Sequence, residues 1–207
     1  MHTLNKKDFK PEDLVDEATK NPDILMDLVN NLLVKNDTIR YNSHKILLLI
    51  SESNPELLYP QWVFFSNLLN SKNNFHKVIA IQIIANLIKI DSQNRFEKIF
   101  ESYCNLLDAK SVMTAGHLAA NLGKIAKVKS NLRDKITKIL LSINQTHHEP
   151  SRKELIKAFI IESFSEYFNL IEDKDPIIDF VQAQLKSQSP KTRKNAQIFL
   201  RKLIDKY

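Results

Sequence analysis

Only two glycines, Gly116 and Gly123, occur among 207 residues. An all-β chain with many tight turns needs far more. Glycine-rich phosphate loops are excluded too. Gly116-His117-Leu118-Ala119 meets no further glycine until Gly123, so neither a dinucleotide fingerprint nor a Walker loop can be written. Cys104 is alone, which rules out an intramolecular disulfide and fits a reducing compartment. The longest apolar run, Ile46 to Ile50, is far short of the ~20 residues of a membrane span. Met1 to Lys10 is polar and charged, without the apolar core of a signal peptide. These absences predict a soluble, cytoplasmic protein.

What is present points to helices. With 43% hydrophobic residues the chain can bury a continuous core. Few glycines with abundant Leu, Ile, Lys, Glu and Asn reads as all-α. Charge is unevenly placed within the net +6. Residues 1–60 hold seven Lys/Arg against ten Asp/Glu, a net of −3. Residues 61–122 hold six against four, +2, and residues 123–207 hold seventeen against ten, +7. Solvated lysine-rich helix faces explain this plainly; a basic end suited to an acidic partner is the sharper reading.

Proline and asparagine punctuate the chain. Pro11-Glu12-Asp13 and Asn21-Pro22-Asp23 place proline and acids where helix entrances favour them, with Asn21 as N-cap. Ile24, Leu25, Leu28, Leu32 and Leu33 form one apolar face. Lys35-Asn36-Asp37 breaks it, a second helix covers 38–53, and Asn54-Pro55 ends that one. Further helices are predicted near 58–70, 74–91, 94–108, 111–128, 130–144, 151–170, 176–187 and 190–206, after a short one at 11–20. Short polar turns make consecutive helices antiparallel neighbours, and no linker separates domains. One domain over 1–207 is expected, with 1–21 as an N-terminal cap and 22–207 as repeats.

The chain also repeats itself. Asn31-Leu32-Leu33, Asn67-Leu68-Leu69 and Asn105-Leu106-Leu107 recur at intervals of 36 and 38 residues. Ala85-Asn86-Leu87-Ile88-Lys89-Ile90 returns 35 residues later as Ala120-Asn121-Leu122-Gly123-Lys124-Ile125. Periods of this size mark stacked structural units. The second helices share a frame: a basic residue, a small one three later, then aliphatics four and three further on. Arg40-Ser43-Leu47-Ile50 sets it and Lys77-Ala80-Ile84-Leu87 copies it. Val112-Ala115-Ala119-Leu122 lacks the basic residue, Lys153-Ile156-Ile160-Ser163 is degenerate, and Arg193-Ala196-Leu200-Leu203 restores it. The small residue permits close approach of the paired helix while the aliphatics fill the seam.

On these residues the chain resembles the HEAT-repeat family of helical-hairpin solenoids, close to its armadillo-type relatives, over roughly 22–207 as five pairs. The resemblance implies a right-handed α-α superhelix. It also implies an acidic residue before the second helix and a basic one within it that brace adjacent repeats. Asp37 and Arg40 match that pattern, Ser189 and Arg193 match in part, Asn74 and Lys77 are weaker, and repeats three and four depart from it. Such proteins serve as scaffolds, adaptors and transport factors, and occasionally bind nucleic acid.

Candidate chemistry is thin. His147-His148-Glu149 has metal-ligand residue types, but neighbouring residues rarely face one ion and no third ligand follows at suitable spacing. Glu162 and Glu166 stand at i, i+4 with Glu172, Asp173 and Asp175 following, and read as a solvated acidic face. Cys104, beside Tyr103, reads as a buried small hydrophobe. Trp62, Phe64 and Phe65 read as core plus one outward aromatic. HEAT-like alkylpurine glycosylases depend on concave tryptophans with a catalytic Asp and Arg; Trp62 is alone and placed on the outer layer, so nothing carries over. No catalytic residue, metal, cofactor or small-molecule substrate is expected.

The predicted function is a non-enzymatic protein-binding scaffold whose concave face is lined by the second helices. Opposite the buried frame, the helical wheel places Tyr41, Lys45, Val78, Gln82, Lys89, Met113, His117, Lys124, Lys194 and Arg201, with Leu48 and Ile161 on the same stripe. The alternative is a nucleic-acid-associated module gripping phosphates through the basic C-terminal half. Its densest stretch, 123–157, holds Lys124, Lys127, Lys129, Arg133, Lys135, Lys138, Arg152, Lys153 and Lys157, and lacks interleaved aromatics for base stacking.

Overall fold

The computed structural model describes Leu4 and residues 10–204. Most of the polar start Met1 to Lys10 and the end of the helix expected at 190–206 therefore lie outside the described residues. Among the described residues the secondary structure is entirely helical. The chain divides into two compact units, Met1–Gln93 and Asn94–Tyr207.

The first unit contains α1 (Glu12–Lys20), α2 (Pro22–Asn31), α3 (Asp37–Ser53), α4 (Pro55–Leu58), α5 (Trp62–Leu68) and α6 (Asn74–Leu87). Asparagine side chains start its principal helices by accepting the orphan N–H groups of the first turn. Asn21 caps α2, Asn36 caps α3 and Asn73 caps α6. The pairs α2–α3 and α5–α6 pack as hairpins, and α3 packs on α6 as well. Pro60 divides the helix expected at 58–70. Lacking an N–H, it sits in a 3₁₀ turn, Tyr59–Gln61, between α4 and α5.

The second unit contains α7 (Phe100–Cys104), α8 (Val112–Val128), α9 (Arg133–Leu141), α10 (Pro150–Tyr167), α11 (Asp175–Ala183) and α12 (Pro190–Ile204). Here α8 packs most extensively against α10, and α10 against α12. The helix expected from 94 begins only at Phe100. Asn94 adopts φ +49°, a left-handed conformation that asparagine tolerates better than most side chains but no helix continues through.

Each unit is a stack of helical hairpins, and the bonds between neighbouring hairpins show the repeat directly. Asn86 Nδ2 donates to Ser51 Oγ at 2.8 Å, 35 residues away. Asn195 Nδ2 donates to the Ala158 carbonyl at 3.0 Å, 37 residues away. Thr192 Oγ1 donates to the Glu154 carbonyl across 38 residues, and Asn42 Nδ2 to the Leu4 carbonyl likewise across 38. These spacings are the sequence period realised as contacts. Asn42 and Asn195 occupy the same place in the frame, so Leu4 offers α3 the carbonyl that α10 offers α12.

The frame is the core. Ser43, Leu47, Ile50, Ala80, Ile84, Leu87, Ala115, Ala119, Leu122, Ile156, Ile160, Ser163 and Ala196 are fully buried. Leu200 and Leu203 are half-buried. Trp62 and Phe65 are buried while Phe64 is half-buried, as core plus one outward aromatic requires. The basic residue of the frame acts chiefly within its own hairpin, where the resemblance led us to expect a brace to the next. Arg40 donates to the Val34 carbonyl at 3.1 Å, Arg193 to the Ser187 carbonyl at 2.5 Å and Lys153 to the Asn144 carbonyl at 2.9 Å. Each cation satisfies a carbonyl left open where the preceding helix ends. Arg40 also pairs with Asp37 and lies 5.3 Å over the Phe75 ring of the next pair.

Candidate partner-binding faces of the second helices

In a stack, each inner helix is flanked by neighbours, so less of it stays open than an isolated wheel implies. Val78 and Ile161, placed on the wheel's outer stripe, are core residues instead, 4% and 1% exposed. Of the remaining stripe residues, Tyr41, Lys89, Met113, Lys194 and Arg201 are exposed. Lys45, Leu48, Gln82, His117 and Lys124 are half-buried. Burial pushes the His117 imidazole below the usual histidine range, favouring its neutral form.

In the first unit the stripe residues Tyr41 and Lys45 meet at an open cleft of about 520 Å³, lined by Asp37, Thr38, Arg40, Tyr41, Asn42, Lys45 and Phe75. Two cations lie over two rings: Lys45 Nζ is 4.5 Å from the Tyr41 centroid, and Arg40 covers Phe75. The rings are 6.4 Å apart. Such a surface presents apolar area with positive charge at its rim. The wheel identifies Tyr41 and Lys45 but misses Phe75, which the sequence shows only as the second residue of the helix expected at 74–91. Elsewhere on α6, the Gln82 Oε1 atom is buried without a hydrogen-bond partner.

In the second unit the second helices are laced together. Lys127 pairs with Glu166 at 3.2 Å, and Lys191 with Glu162 at 3.0 Å. Lys191 Nζ also lies 3.8 Å over Phe159. Glu162 and Glu166 are thus bound to different cations.

The basic stretch is largely absorbed by the fold. Lys129, only 10% exposed, pairs with Glu97 at 3.1 Å and donates to Asn94. Arg133 donates to the Ala126 and Leu170 carbonyls, both at 2.9 Å. Lys157, also 10% exposed, pairs with Glu154 at 2.6 Å, and Lys153 is held by the Asn144 carbonyl. Lys135, Lys138 and Arg152 are exposed.

The residue types that suggested chemistry are separately occupied. His147 and His148 point to different acceptors: His147 Nδ1 meets Asp108 Oδ2 at 2.5 Å, and His148 Nε2 meets the Leu107 carbonyl at 2.9 Å. The His147 N–H donates to Asp108 Oδ1 at 2.7 Å. Among the described residues no group of three His, Cys, Asp or Glu side chains could hold a metal ion. Nor is any described helix long and apolar enough to cross a membrane. Cys104 is buried, and its thiol is pushed up to about 12, first by burial and then by Glu101.

No family model and no curated protein matches the chain. Among solved structures, a crystal structure of an engineered protein is similar at 15% identity and a TM-score of 0.49, covering 97% of this chain and 93% of that one. A designed armadillo repeat protein is similar at 15% identity and a TM-score of 0.48, covering 97% of this chain and 96% of that one. The repeat architecture itself stands on the hydrogen bonds and packing described above.

Proposed function

We propose that this chain is a non-enzymatic scaffold that holds a protein partner on the exposed parts of its second helices. The observation that carries this reading is the Tyr41–Phe75 cleft with Lys45 and Arg40 over its rings. Solvent-accessible aromatic area bordered by cations suits a protein segment that offers an apolar side chain beside a carboxylate. A catalytic reading has little support. Burial pushes the Cys104 thiol up to about 12, Glu162 and Glu166 are paired with separate cations, and the two loop histidines serve separate acceptors.

The test is affinity purification from the native host, with and without nuclease, comparing the natural chain with Tyr41→Ala combined with Lys45→Glu. A protein retained after nuclease by the natural chain and lost from the variant supports the scaffold. Retention that disappears with nuclease, or that ignores the variant, rejects it.

A further inference from the structure

The geometry points to a second interaction surface, on α12, built to take an acidic amphipathic helix of a partner protein. The row of α10 that faces α12 is Glu154, Ala158 and Glu162, spaced i, i+4 and i+8. Thr192 donates to the Glu154 carbonyl, Asn195 to the Ala158 carbonyl, and Lys191 pairs with Glu162. Forty residues later, one repeat on, the same row of α12 is Lys194, Ile198 and Lys202, and all three are exposed. Ile198 is 44% exposed where Ala158 is fully buried, and Ile204 is 75% exposed where Phe164 is fully buried against Phe180. Arg201 stands exposed where Ile161 is buried.

The row therefore keeps an apolar centre and reverses its charge. Inside the stack, glutamate on α10 receives lysine from α12; on α12 the corresponding positions are lysines. Another hairpin of the same kind, bringing lysine to that row, would meet like charge. An amphipathic helix with carboxylates about 12 Å apart, two turns along its axis, would reach Lys194 and Lys202 while its apolar side covers Ile198. Lys194, Arg201 and Lys202 carry no ion pair among the described residues, so their charge is available to such a partner. The surface goes beyond the cleft on α3 and α6 and does not depend on it.

The probe is a synthetic helical peptide of about four turns, with leucines along one face and glutamates beside them, together with a twin bearing lysine at every glutamate. Fluorescence anisotropy against the full chain should show the acidic peptide binding roughly tenfold more tightly than its twin. Lys194→Glu combined with Lys202→Glu should reverse that preference, Ile198→Ser should weaken both peptides, and Tyr41→Ala should change neither. Circular dichroism checks that each variant keeps its helices. Equal binding of the two peptides, or acidic-peptide binding untouched by the charge reversal, overturns the proposal. So does a duplex oligonucleotide that outcompetes the acidic peptide, because the row would then be reading phosphate.

Discussion

Gly123 lies so close to Ser163 that a Cβ atom on it would stand 2.6 Å from the Ser163 carbonyl oxygen and 2.8 Å from its Cα. Both are contacts to main-chain atoms of α10, which cannot swing aside. In an open helix Gly→Ala stabilises by about 1 kcal/mol. Here the clash outweighs that gain, and Gly123→Ala should destabilise by about 1–3 kcal/mol. Gly116 is the control. A Cβ there meets the edge of the Phe159 ring at 3.0 Å, and that half-buried side chain can shift. Urea midpoints should fall for Gly123→Ala and stay near the natural value for Gly116→Ala.

Acid should loosen the α10–α12 junction through Glu154. Burial opposes ionisation of this carboxyl, but Lys157, Ser187 and the Gln188 main chain together outweigh it, leaving it below the usual glutamate value of 4.5. The folded state therefore favours the ionised form. Its contribution is complete above 4.5 and is lost as pH falls through the lowered folded value. Glu154→Gln should cost about 1.5–3 kcal/mol at neutral pH, because Lys157 keeps a buried charge without its partner. The gap between variant and natural urea midpoints should narrow as pH drops below 4.5. A gap constant from neutral to strongly acid pH would contradict this assignment.

Cys104 should be chemically silent in the native protein. With its thiol pushed up to about 12 from 9.0, the thiolate fraction at mildly alkaline pH falls roughly a thousandfold. A disulfide-exchange reagent should leave the folded chain unmodified over the time in which denatured chain reacts with one equivalent. Prompt reaction of the native protein would show that the surrounding helix opens readily.

The repeat was legible because its signals are local and chemically specific. Asn21, Asn36 and Asn73 announce helix starts, and Ala80, Ala115 and Ala196 mark where a second helix must come close. Pro60 is equally visible, but the apolar pattern continues on both sides of it and masks the break that its missing N–H imposes. Asn94 gave less warning, since a left-handed residue depends on tertiary fit. The wheel failed at Val78 and Ile161 for a geometric reason: it describes one helix, whereas burial depends on how many neighbours flank it. Phe75 meets Arg40 and Tyr41 about 35 positions earlier in sequence, a contact that only alignment to the repeat reveals.

The basic stretch 123–157 is dense in cations along the sequence, and the fold engages much of that charge internally. Five of its nine cations, Lys127, Lys129, Arg133, Lys153 and Lys157, already serve carboxylates or carbonyls of the same unit. Lys124 is half-buried and Lys127, though exposed, is paired with Glu166, leaving Lys135, Lys138 and Arg152 as the exposed cations with no ion pair among the described residues. Neutralising three phosphates gives a slope of log affinity against log salt no steeper than about −3. Binding to duplex or single-stranded oligonucleotides should accordingly be weak, indifferent to sequence and lost as salt rises. Lys135→Glu combined with Lys138→Glu should abolish what remains while leaving the urea midpoint unchanged, since neither side chain is buried. Sub-micromolar, sequence-selective binding that persists at ~200 mM salt would instead reject the protein-scaffold reading in favour of a nucleic-acid module.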